Sequence, residues 1–189
     1  MAIPSLALIP TGFKDGKLYS VLPESGAGDF DVVRGSGATR VNKDGLIEDV
    51  RILSGELVTN GGFDTATDWT LGTGWSISGG AAVAVTGTSS RLEQPIIGLS
   101  GKTCKIIFTL SDYGGGGAVY LDFGSVNSDL INTNGEHVVY GTFDQDKFEI
   151  FKGSGFSGLI DNVSIKEITE DTDIPRIDYT GGGCPSLLL

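Results

Sequence analysis

Between Glu56 and Glu167 the chain is a succession of short apolar-alternating runs cut by Gly, Asn, Asp and Ser, and nowhere does it hold apolar residues at helical spacing for three turns. A period of two puts successive side chains on opposite faces of a strand, so the stretch is confined to sheet structure. Turn signals recur every ten or so residues, with no segment that could serve as a crossover helix. The pattern predicts an all-β fold, a jelly-roll-like antiparallel β-sandwich, and excludes a parallel α/β sheet.

The runs can be taken one by one. ELVTNGGF (residues 56–63) reads as the opening strand, and residues 74–87 as two strands about a Gly79-Gly80 hairpin turn. RLEQPI (91–96), GKTCKIIFTLSDY (101–113), AVYLDF (118–123), EHVVYGTF (136–143), KFEIF (147–151) and GLIDNVSIK (158–166) follow. In the strongest of them Cys104, Ile106, Phe108 and Leu110 share one face, and Lys105, Ile107 and Thr109 the other. Cys104 is therefore expected as a buried small hydrophobe, and Cys184 in GGGCP as a turn residue, with no disulfide between them.

Residues 1–55 and 168–189 differ in kind from this central domain (56–167). Their apolar runs, such as SLALI, KLYSVLP and DFDVV, are a few residues long and punctuated by glycine. So little apolar surface does not offset a backbone ordering cost of roughly 1–2 kcal/mol per residue. Both segments are expected to be extended arms ordered by neighbouring chains, with one hairpin pairing Ala38–Val41 with Leu46–Val50 about NKDG. MAIPSLALIP has no basic start and is broken by Pro4 and Pro10, so it reads as neither a signal peptide nor a membrane span. The apolar ending CPSLLL suggests a chain that continues past Leu189.

The formal net charge is −11, with the acids dispersed rather than blocked. Phosphate recognition needs clustered Lys and Arg, so nucleic acid and anionic membrane are unfavoured partners. Catalysis is not expected either. His137 is the single histidine and stands near no recognisable nucleophile, and pairs drawn from Asp112, Asp122, Asp144 and Asp146 are what any acidic protein offers. Trp69 and Trp75 read first as core rings. The alternative is that Trp69, Trp75 and Tyr140 stack on sugar faces. Asp161 alternates in phase with Val163 and Ile165, which turns a carboxylate inward unless a bulge intervenes.

Two resemblances bear on function. SLALIPTGFKDGKLYSVLPESGAGDFDVVRGSGATRVNKDGLIEDV (5–50), taken with DIPRIDYTGGGCPSLLL (173–189), resembles an N-terminal module of bacteriophage virion proteins, including tail-fibre, tailspike and capsid-associated proteins. In that family the two pieces are close to contiguous, which implies that residues 56–167 are an insertion. The resemblance implies a structural virion protein, a tail fibre or a head fibre or decoration, in a homotrimer held by other phage structural proteins. The inserted stretch, beginning LVTNGGF and ending IDNVSIKE, resembles carbohydrate-binding-module β-sandwiches. That implies a possible role in adhesion to host or environmental polysaccharide. It also implies a structural Ca²⁺ between opening and closing strands, with Glu56, Asn60, Asp64 and Asp161 as its ligands by position.

Overall fold

A computed structural model describes residues 12–14, 17–19, 30–31, 33, 35, 39–41, 46–49, 51–170, 176–178 and 186–188. The chain divides into two compact units, residues 53–168 and, from its two ends together, residues 1–52 with 169–189.

The terminal unit holds β1 (Gly12–Lys14), β2 (Lys17–Tyr19) and β3 (Phe30–Asp31) in one small antiparallel sheet. β4 (Thr39–Val41) pairs with β5 (Ile47–Asp49) in the expected hairpin, Arg40 opposite Glu48. The turn residues Asn42–Gly45 lie outside the described residues.

The central unit is the β-sandwich, preceded by β6 (Ile52–Leu53). Its strands are β7 (Thr70–Leu71), β8 (Trp75–Ser78), β9 (Ala81–Ala84), β10 (Ser90–Pro95), β11 (Thr103–Ser111), β12 (Val119–Asp122), β13 (Gly135–Thr142), β14 (Lys147–Lys152) and β15 (Gly158–Glu170). The smaller sheet runs β12-β14-β10-β7, and the larger runs β13-β11-β15-β9-β8. Two more strands belong to the terminal unit, β16 (Arg176–Asp178) and β17 (Ser186–Leu188), which pair with each other. No helix occurs among the described residues.

The core forms where the alternation said it would. Cys104, Ile106, Phe108 and Leu110 of β11 are fully buried, as are Leu121 of β12 and Phe148 and Ile150 of β14. Phe143 lies edge-on to both Phe123 and Phe148, with ring centroids 5.0 and 6.4 Å apart. Each such ring contributes roughly 1.5–3 kcal/mol by leaving water. Burial pushes the Cys104 thiol up to about 11, with the Glu167 charge adding to it, so this cysteine is a packing residue at neutral pH.

Two expectations need correction. The opening stretch 56–63 is not a regular strand, because Asn60 and Phe63 take positive φ (54° and 52°), outside the extended range of an unbroken strand. Its place in the sheet is held partly by a side chain: the buried Gln94 amide accepts from Thr59 N at 2.9 Å and donates to Thr59 O at 2.8 Å, imitating a strand partner. The closing strand, for its part, carries a bulge. Pairing with β11 shifts between Ile107↔Ser164 and Thr109↔Asp161, and Asn162 has φ 53°. The extra residue lets Ile160 and Val163 both face inward, while Asp161 is only half-buried.

Candidate functional site

The motif ELVTNGGF joins the sandwich's first residues to its last. Glu56 accepts from Ser164 Oγ (2.6 Å) and Ile165 N (2.6 Å), Leu57 N donates to Ile165 O, and Val163 N donates to Gly61 O. Asn60 donates from its side-chain nitrogen to Thr65 O and Thr67 O, and its own carbonyl receives the Trp69 indole N–H at 3.0 Å. Asp161 accepts from Asn162 N at 2.6 Å. The oxygens of Glu56 and Asp161 that a calcium ion would use thus already have donors. Among the described residues, no group of three or more Asp, Glu, His or Cys side chains stands in metal-binding array.

The aromatic residues separate as well. Trp69 and Trp75 are both 7% exposed and belong to the core, where Trp69 lies 5.0 Å from Phe63 and 6.2 Å from Phe148. An indole enclosed in this way has no face for a sugar, and the expectation that either would stack on one is corrected accordingly. Tyr140 is 40% exposed on β13, at the far edge of the larger sheet.

The densest arrangement of chemically able groups lies elsewhere, on the outward face of the smaller sheet. Pairing register sets Tyr120, Phe151 and Arg91 in one row across β12, β14 and β10, and Asp122, Glu149 and Glu93 in the next. Tyr120 and Phe151 stack at 4.8 Å, and the Arg91 guanidinium lies 5.2 Å from the Phe151 ring centre. Arg91 also reaches Asp122 (3.5 Å) and Glu149 (3.2 Å). Lys147 lies 2.9 Å from Glu149 and 3.9 Å from Glu93, and Gln145 donates to Glu149 at 3.1 Å.

Glu149 is the centre of this face and is itself buried. Burial pushes its carboxyl up, but the Lys147 ammonium and the Gln145 amide together outweigh that and hold it below the ordinary carboxylate range. Around it Arg91 (46% exposed) and Lys147 (42%) remain open to solvent beside half-buried rings. Such a surface can present an apolar ring edge, carboxylate acceptors and cationic donors to one polar ligand. The sequence shows each residue as an outward member of an alternating run. What it does not show is the register that lines up three distant runs.

No protein-family model matches the chain, and no curated protein matches it.

Proposed function

We propose that the chain is a structural protein of a tailed-bacteriophage virion, an appendage component such as a tail fibre or a head fibre or decoration. In this reading residues 1–55 and 168–189 attach it to other phage structural proteins, as a homotrimer, and the sandwich projects. The observation that carries it is that the two stretches bearing the virion-module resemblance, 34–48 and 175–189, contribute strands β4, β5, β16 and β17 to a single unit. That unit also leaves Val33 and Ile47 exposed at 92% and 76%, apolar surface that a partner subunit would cover. The net charge of −11 fits a protein partner better than a nucleic acid. The test is its presence in purified particles: reconstruction of the virion should show the terminal unit against neighbouring subunits. Absence of the chain from particles that are infectious and complete by mass spectrometry overturns the reading.

The face around Glu149 favours a second reading, adhesion to host or environmental polysaccharide. Rings beside paired carboxylates and a guanidinium are the groups that grip a sugar's apolar face and its hydroxyls. A glycan array with the full chain should give signals that Arg91→Ala and Tyr120→Ala abolish. No signal, or signal untouched by both, removes it.

A further inference from the structure

The tripeptide Thr-Asn-Gly occurs twice, as Thr59-Asn60-Gly61 and Thr133-Asn134-Gly135. Asn-Gly is the pair in which a backbone nitrogen most readily attacks the side-chain amide before it, because glycine has no Cβ to shield that nitrogen or restrain its rotation. The fold treats the two copies oppositely. Asn60 and Gly61 are half-buried and held on every side. The Asn60 amide nitrogen donates to Thr65 O and Thr67 O at 2.9 and 3.0 Å, and its main-chain carbonyl takes the Trp69 indole N–H. Gly61 O accepts from Val163 N at 2.9 Å, and a Cβ on Gly61 would lie 2.0 Å from Val163 O. Neither residue can swing without opening the join between the sandwich's first and last residues. Asn134 and Gly135 are exposed, at the entry to β13. Gly135 has φ 132°, and nothing lies within 4 Å of where its Cβ would be. Among the described residues the Asn134 side chain makes one hydrogen bond, its Oδ1 accepting from Tyr113 N at 3.0 Å. A backbone N–H placed there steadies the carbonyl and stabilises the oxyanion that forms when a nucleophile adds to its carbon. The side-chain nitrogen, which would leave, is not held.

We propose that Asn134 is a site of spontaneous deamidation, at which the folded chain modifies itself with water as the sole co-reactant. The Gly135 nitrogen adds to Asn134 Cγ and gives up its proton, the Cγ–Nδ2 bond breaks, and Nδ2 departs as ammonia, leaving a succinimide ring. Water then opens the ring at either carbonyl. Attack at Cγ gives aspartate; attack at the main-chain carbon gives isoaspartate, in which the chain runs through the side chain and is one methylene longer. Nothing is oxidised or reduced in either step. Both products add a negative charge close to Glu136 in the exposed stretch leading into β13. In the aspartate form the Tyr113 N–H bonds a carboxylate oxygen, a stronger, charge-assisted contact. In the isoaspartate form the extra methylene falls ahead of Gly135, the first residue of β13 to pair with β11, so the sheet keeps its register. Asn60, in the same tripeptide, is spared by its packing.

Peptide mapping by mass spectrometry of the full chain, held at mildly alkaline pH and sampled over days, reads both Asn-Gly pairs in one digest. The peptide holding Asn134 should gain the mass of an amide turned to acid at least about ten times as fast as the peptide holding Asn60, which must wait for local opening. In urea the two rates should converge, because the tripeptides are the same and the packing is gone. In a second measurement, Asn134→Gln, whose longer side chain closes the ring far more slowly, should remove the early acidic species seen on ion exchange of the aged protein. Three results overturn the proposal: Asn134 unconverted in the folded chain while it converts in urea, equal rates at the two pairs in the folded chain, or an undiminished acidic species in Asn134→Gln.

Discussion

Gly61 and Gly62 are neighbours in the chain and have opposite tolerances. A Cβ on Gly61 would sit 2.0 Å from the Val163 carbonyl oxygen, whereas one on Gly62 meets nothing nearer than 4.0 Å. The clash is with backbone on the closing strand, which cannot rotate away. Gly61→Ala should therefore cost about 2–3 kcal/mol in denaturant unfolding, and Gly62→Ala should fall within about 0.5 kcal/mol of the unaltered chain. Equal costs would refute the clash. Phe63 shows the same economy of space: a bulky residue at φ 52°, strained but fully buried against Trp69. From the sequence NGG reads as a turn, and a turn it is. That its first glycine serves a contact a hundred residues downstream could not be read locally.

At the scale of elements, alternation located the strands from β8 to β15 and chose the inward residues of β11. Counting by twos fails at a bulge, so Asp161 was assigned to the interior face and lies half out of it. Glu149 illustrates the other gap: KFEIF marks it as outward, yet Arg91, Lys147 and Gln145 bury it. Its lowered carboxyl pKa has a signed consequence. A carboxylate held below its unfolded value of 4.5 stabilises the fold above that pH, and the stabilisation is lost as pH falls through the lower, folded value. Melting temperature should drop on acidification below about 4.5, and Glu149→Gln should make that drop shallower; an identical slope in both proteins counts against the role given to Glu149. The join between opening and closing stretches makes a different prediction. Because Glu56 is hydrogen-bonded to Ser164 and Ile165, EDTA should leave the melting temperature within about 1 °C; a fall of several degrees would restore calcium to this place.

For the molecule as a whole, the sequence separated a middle expected to bury its own apolar faces from two ends expected to be extended arms, and the structure gathers those two ends into a compact unit of their own. The unit boundary at residues 53–168 lies close to the 56–167 read from pattern alone. Less legible was that both ends contribute to one unit, since strands of two or three residues carry almost no periodic signal. A fragment of residues 53–168 should unfold cooperatively, within a few degrees of the sandwich transition in the full chain. Loss of cooperativity in the fragment would mean that the sandwich leans on the terminal unit after all.

The sandwich begins and ends at the same spot: Ser54 N donates to Glu167 O at 2.8 Å, and Glu167 N donates back to Ser54 Oγ. To the chain that surrounds it, an entire domain therefore spans no more distance than a tight turn. Excising it leaves two chain ends that two or three glycines can join, and a different domain whose termini touch in the same way could take its place.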